Sequence, residues 1–147
     1  MNRDIDFSQM PNLFGTCNVT NCPLAETCLR HLAHDKVSSK EPFINVLNHK
    51  WLAQQKKRCQ FYLENEPVKR ARGFKRLLEI IPAGKVGSFR TALLSRMGYR
   101  RYYQARKGEI LLTEAEENMV IKQAKRFGVV MDDYFDKHEM VLMWHHE

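Results

Sequence analysis

Four cysteines, Cys17, Cys22, Cys28 and Cys59, are the residues of this chain best suited to chemistry, and the sequence holds no others. Spacers of four and five residues separate the first three, and thirty residues separate Cys28 from Cys59. Thiolates bind zinc tetrahedrally, and structural sites gather them from short turns. The spacing departs from the C-x2-C pair of zinc ribbons and fingers. The physical case for a metal is the segment from Phe7 to Asn21, which has little apolar periodicity. A metal site contributes folding energy where a core is sparse. Structural zinc on Cys17, Cys22, Cys28 and Cys59 is therefore the expected cofactor. Two other chemistries stay open to these residues: four buried thiols acting as small hydrophobes, or an iron–sulfur cluster or redox pair. The iron–sulfur option is the poorer match, because the spacing fits neither common ferredoxin run. His31, three positions beyond Cys28, could replace one cysteine, and so could His49; His34 reads as a surface or cap residue.

A second group of residues suits binding rather than reaction. Residues 67–108 carry twelve of the 24 Lys/Arg and one acid, Glu79, whereas residues 109–147 carry nine of the 17 Asp/Glu. A segment that repels itself this strongly calls for a polyanionic partner. From Arg96 to Gly108 the cations alternate with tyrosines and a glutamine. Arg and Gln can read base edges, and Arg, Lys and Tyr can bind phosphates. The expected contacts are Arg96, Arg100, Arg101, Tyr103, Gln104, Arg106 and Lys107. Lys69, Arg70, Arg72, Lys75, Arg76 and Arg90 would add charge for the phosphate backbone. The expected partner is nucleic acid, with duplex DNA first. The other reading is an adaptor whose basic surface docks an acidic protein.

Catalysis is not expected. The sequence has no G-x-x-x-x-G-K-[ST], H-E-x-x-H, G-x-S-x-G or G-x-G-x-x-G. The cluster Asp132, Asp133, Asp136, His138 and Glu139 could hold a divalent cation, but its ordinary role is to cap and solvate a helix end.

The elements that position these residues follow from periodicity and punctuation. A short helix is expected over 23–34, with Cys28 on its apolar side. Phe43–Leu47 fits strand or helix, and residues 51–63 fit a helix or a ligand-bearing turn. Val68, Ala71, Phe74, Leu77, Leu78 and Ile81 predict a helix opened by Pro67 and ended by Pro82 and Gly84. Ser88 would cap a helix closed by Gly98. Tyr99–Lys107 reads as a short helix stopped by Gly108. Thr113 and Glu116 form a capping box for a helix that runs to Phe127 and ends at Gly128. The stretch from Glu139 to Trp144 fits a last strand or helix. The expected fold is mainly α, a helical bundle with an N-terminal, loop-rich Cys-cluster module. The module would span residues 1–66 and the basic helical domain residues 67–147, packed as one compact unit.

Residues 88–136 resemble a phage-repressor-type helix-turn-helix. Leu93-Leu94-Ser95-Arg96-Met97-Gly98 is similar to its second helix and turn glycine, and Gly108-Glu109 to the close of its recognition helix. The resemblance implies that 99–107 enters the major groove. The interval from Gly98 to Gly108 is shorter than in that family, and Arg100 or Arg101 stands where Ser or Thr usually opens the recognition helix. The whole chain also resembles a family of uncharacterised bacterial proteins that shares Cys22-Pro23-Leu24-Ala25 with Cys28-Leu29-Arg30, and Tyr102-Tyr103 with Arg106 and Gly108-Glu109. That resemblance implies a common architecture and carries no function.

Apolar residues make up 44% of the chain, with five prolines and seven glycines, which fits an ordered globular protein. Runs such as Val141–Trp144 are far too short to span a bilayer, so no membrane partner is expected. The N-terminus has acids and no apolar h-region, which points to the cytoplasm, where thiols stay reduced.

Overall fold

The computed structural model describes residues 4–147. The chain divides into two units, one built from the residues up to Pro67 with Leu142–His146, the other from Val68–Val141 with Glu147. Among the described residues there are six α-helices and one two-stranded sheet, so the chain is mainly α with a small β element.

The first unit is mostly loop, with 3-10 turns at Phe7–Gln9 and Ala25–Thr27, helix α1 (Leu29–Ser38) and the short helix α2 (His49–Ala53). Its core is small. Leu29, Ala33, Leu63 and Trp144 are buried, and Phe7, Phe14 and Leu142 are among the side chains packed round them. Trp144 meets the edge of Phe14 at 5.2 Å between ring centroids and lies 5.9 Å from Phe7. The sequence reading placed residues 142–146 with the basic domain, whereas Leu142–His146 belongs to the first unit. Five residues of tail hold too little periodicity to reveal which core takes the indole. The helix expected over 23–34 begins only at Leu29. Cys28 stays extended (φ −93°, ψ 118°), because it bridges antiparallel to Glu64 and the Leu29 amide donates to the Leu63 carbonyl at 2.8 Å. Phe43–Leu47 forms neither strand nor helix; a single parallel bridge joins Val46 to Thr16. In the 51–63 stretch the turn reading holds after α2, with the Tyr62 amide donating to the Cys59 carbonyl at 3.3 Å.

In the second unit the helix expected over 67–81 is two elements. Strand β1 (Val68–Arg72) is followed by Gly73 and then α3 (Lys75–Ile80). Ala71, Phe74, Leu77 and Ile81 are all buried, so the apolar positions hold while their period is split. Gly73 is the reason. It adopts φ +71°, a left-handed conformation that costs other L-residues about 1–2 kcal/mol. Its carbonyl accepts from the Asp136 amide at 2.9 Å. The Asp136 carboxylate in turn accepts the Lys75 and Arg76 amides at 2.8 and 3.1 Å, capping α3 from sixty residues away. β1 pairs antiparallel with β2 (Lys137–Val141), with Arg70 opposite Glu139. The unit is therefore helical layers with a β-ribbon, not a pure bundle.

The chain breaks at Pro82 as expected, but helix α4 (Ala83–Met97) starts directly after it and runs through Gly84, Gly87 and Ser88, so the Ser88 cap does not occur. Both glycines are exposed, where each costs roughly 1 kcal/mol relative to alanine and breaks nothing. The burial of Phe89 and Leu93, about 1.5–3 kcal/mol each, outweighs that cost. Gly98 closes α4 and opens α5 (Tyr99–Lys107), which Gly108 ends at φ +80°. Helix α6 (Glu114–Arg126) carries the expected capping box in full.

Two substitutions test this reading. A Cβ on Gly73 would stand 2.7 Å from Asp136 Oδ2, an oxygen held by a backbone amide. Gly73→Ala is expected to lower stability by about 2–4 kcal/mol, from backbone strain plus the lost cap, as read by urea unfolding. Glu116 is a different case. Burial pushes its carboxyl up, but bonds from the Arg101 guanidinium and the Thr113 amide more than offset this and hold it below its ordinary 4.5. A depressed carboxyl stabilises the fold above its unfolded value and loses that contribution as pH falls through the folded value. Glu116→Gln should therefore cost about 1–2 kcal/mol at pH 7, and the gap to the parent should close as pH falls below about 4.

Candidate functional site

All four cysteines are free thiols, and all four line one cavity of about 20 Å³ in the first unit. That is space for one water or one ion. None of the four lies inside a helix, so each can turn its side chain without breaking a helical turn. Cys28, expected on a helix face, is the residue that immediately precedes α1, and it is 8% exposed. Cys22 opens the turn to Ala25, and Cys59 opens the turn to Tyr62. Burial pushes the Cys17 thiol above its ordinary value; a backbone bond at Val19 opposes this, and the other three cysteines add to it. As placed, no three His, Cys, Asp or Glu side chains among the described residues form a group that could hold a metal ion.

Two further side chains line the cavity, Arg30 and His31. His31, the expected substitute ligand, has its Nδ1 buried with no hydrogen-bond partner. His34 is otherwise engaged, its Nδ1 sitting 3.1 Å from the Thr16 hydroxyl, and His49 opens α2 in solvent away from the cavity. Sequence reasoning missed Arg30. Its Nη1 donates to the Gly15 carbonyl at 2.6 Å and its Nε to the Phe61 carbonyl at 2.9 Å. Its own carbonyl accepts the Cys17 amide at 2.9 Å, and its guanidinium lies over the Phe14 ring at 4.8 Å. Burial pushes this guanidinium down from its ordinary value, with Cys28, Cys59 and Cys17 acting in the opposite sense. A signal was present: Arg30 is the only Lys or Arg between Asp4 and Asp35.

In the second unit the expected nucleic-acid residues divide sharply. Arg101 donates from Nε and Nη2 to both oxygens of Glu116, at 2.7 and 2.9 Å. Arg70 makes a similar fork to Glu147 at 3.1 and 2.9 Å. Arg72 pairs with Glu139 at 2.7 Å, and Arg76 donates to the Phe135 carbonyl at 2.9 Å. Lys107 reaches Glu109 only at 3.8 Å. Lys69, Lys75, Arg90, Arg96 and Arg100 are exposed and form no ion pair among the described residues. Gln104 is half-buried on α5. Tyr103 packs against the core, 4.6 Å from Tyr99 and 5.0 Å from Tyr102 by ring centroid. Arg106 lies over the Tyr103 ring at 4.8 Å. Tyr99 itself is 73% exposed and was missed; it stands one helical turn before Tyr103, a spacing the sequence does show. The acidic cluster is spent on structure: Asp136 caps α3, and Asp133 accepts from the Phe135 amide and contacts His138 Nε2 at 2.9 Å.

A single residue, Gly98, joins α4 to α5. A helix-turn-helix uses a turn of roughly three to four residues at that point. No helix is long and apolar enough to cross a membrane among the described residues.

The model of a family described as a family of unknown function (DUF6078) matches residues 1–144, and the chain belongs to that family. No curated protein and no solved structure matches it.

Proposed function

We propose that this family member is a non-enzymatic nucleic-acid-binding protein whose binding surface lies on the second unit, with duplex DNA as its first partner. One observation carries the reading: after the internal ion pairs are subtracted, Lys69, Lys75, Arg90, Arg96 and Arg100 remain exposed and unpaired among the described residues. Exposed like charges repel one another, and a polyanion relieves that repulsion while releasing its own counterions. Arg96 and Arg100 flank Gly98, with the exposed ring of Tyr99 between them. Cations and a phenol in that arrangement suit phosphate oxygens. Helix α5 adds Arg100 to this phosphate-binding charge, with half-buried Gln104 the one side chain of the set left for a base edge. The cytoplasm remains the proposed compartment, since the free thiols of the first unit require reducing conditions.

Five phosphate contacts give a slope of log K against log salt of about −4 to −5 on duplex DNA. Fluorescence anisotropy with a labelled mixed-sequence duplex should show that slope. Replacing both Arg96 and Arg100 by Glu should weaken binding by about tenfold or more and flatten the slope by about two. Arg101→Gln should instead lower stability. Absent or salt-insensitive binding to duplex and single strands alike would overturn the reading. Nuclease-resistant binding to an acidic protein would then favour the adaptor.

A further inference from the structure

We infer that Cys17, Cys22, Cys28 and Cys59 form a structural zinc centre, and that Arg30 is the residue that holds its ligand loops together and offsets its charge. The inference is independent of the nucleic-acid reading and concerns the other unit.

The first observation is convergence. Every cysteine of the chain faces the same cavity of about 20 Å³, although the four come from three separate stretches. Four thiolates at zinc–sulfur distances of about 2.3 Å enclose one ion with sulfurs about 3.8 Å apart. None of the four cysteines lies inside a helix, so each side chain is free of the i, i+4 crowding that restricts χ1 within one.

The second observation is Arg30, which touches every stretch that carries a cysteine. Its guanidinium bonds the carbonyls of Gly15, two residues before Cys17, and Phe61, two residues after Cys59. Its backbone carbonyl holds the Cys17 amide, and it follows Cys28 by two positions. These bonds fix the spacing of three loops but leave the cation without any carboxylate partner among the described residues. A half-buried guanidinium in that position calls for negative charge nearby. Zinc with four thiolates carries a net charge of −2 and supplies it. A neutral cluster of thiols does not.

The third observation is the small size of the core. Leu29, Ala33, Leu63 and Trp144 form the buried hydrophobic cluster of a unit of some seventy residues. Segments 15–22 and 59–62 lie outside helices and strands, and a metal that crosslinks them supplies the folding energy such a core lacks. His31 also lines the cavity, and its Nδ1 is buried without a hydrogen-bond partner, which suits a bond to a thiolate.

The test uses the full chain, purified under reducing conditions without added metal. Elemental analysis should find about one zinc per chain, because a closed structural site survives purification. Cobalt substitution should give the intense visible bands of four-coordinate cobalt thiolate. Cys59→Ser, at a half-buried turn outside any helix, should abolish tight zinc retention; should that variant fail to fold, the cobalt spectrum of the parent still decides. Arg30→Met should weaken zinc about 10–100-fold in chelator competition while saturating at one equivalent, and Arg30→Lys should recover part of the loss. Less than about half an equivalent of zinc with no thiolate cobalt spectrum overturns the centre, as do four freely reactive thiols in the folded chain. Iron with sulfide-type absorption overturns the choice of zinc. Unchanged zinc affinity in Arg30→Met overturns the role given to Arg30.

Discussion

Charge compensation is the constraint on which the second unit depends. Residues 67–108 bring twelve cations into one small fold with a single acid of their own. The carboxylates that meet them come from the C-terminal third: Glu116 on α6 takes Arg101, Glu139 on β2 takes Arg72, and Glu147 takes Arg70. Exposed pairs of this kind contribute little individually, about 0–1 kcal/mol each. Their collective effect is positional. The Arg101–Glu116 fork also belongs to the α6 capping box, because one Glu116 oxygen accepts both the Arg101 guanidinium and the Thr113 amide. Helix start and charge neutralisation therefore share one carboxylate, which ties α5 to α6 at the point where α6 begins.

The first unit solves the opposite problem. It has little apolar surface to bury. Backbone groups do much of the anchoring, through the Thr16–Val46 and Cys28–Glu64 bridges and the two carbonyls held by Arg30. A loop structure of that kind loses much conformational entropy for each residue it orders, about 1–2 kcal/mol for the backbone alone. Hydrogen bonds that net about 1 kcal/mol each do not readily offset it, and a crosslink among the loops is the physical remedy.

Local punctuation was legible in the sequence wherever a residue's own chemistry decides the backbone. Gly98, Gly108 and the Thr113–Glu116 box bound their helices as expected. Gly84 misled, because glycine ends a helix only where the chain needs a left-handed residue, and here it does not. β1 was illegible for a related reason. Spacings of three and four from Ala71 to Ile81 suit a helix, and only the distant Asp136 reveals that Gly73 divides the run. The grouping of the cysteines was legible from their number and spacing. The fate of the arginines was not, since their partners lie 15, 67 and 77 residues away. The C-terminal acids advertised a counter-charge without saying which cations they would take.

The geometry of α5 sharpens what its free cations can do. Successive residues on a helix stand about 100° apart. Burying Tyr102 therefore turns Arg100, about 200° away round the helix, outward, and its exposure agrees. Of the two adjacent arginines, one is thus spent on the fold so that the other can face a partner. A helix with Arg101 committed and Gln104 half-buried has few side chains left for base edges. The larger share of its free charge, at Arg96 and Arg100, suits phosphates. On the proposed reading the surface should therefore hold nucleic acid chiefly through its backbone, with limited dependence on base sequence.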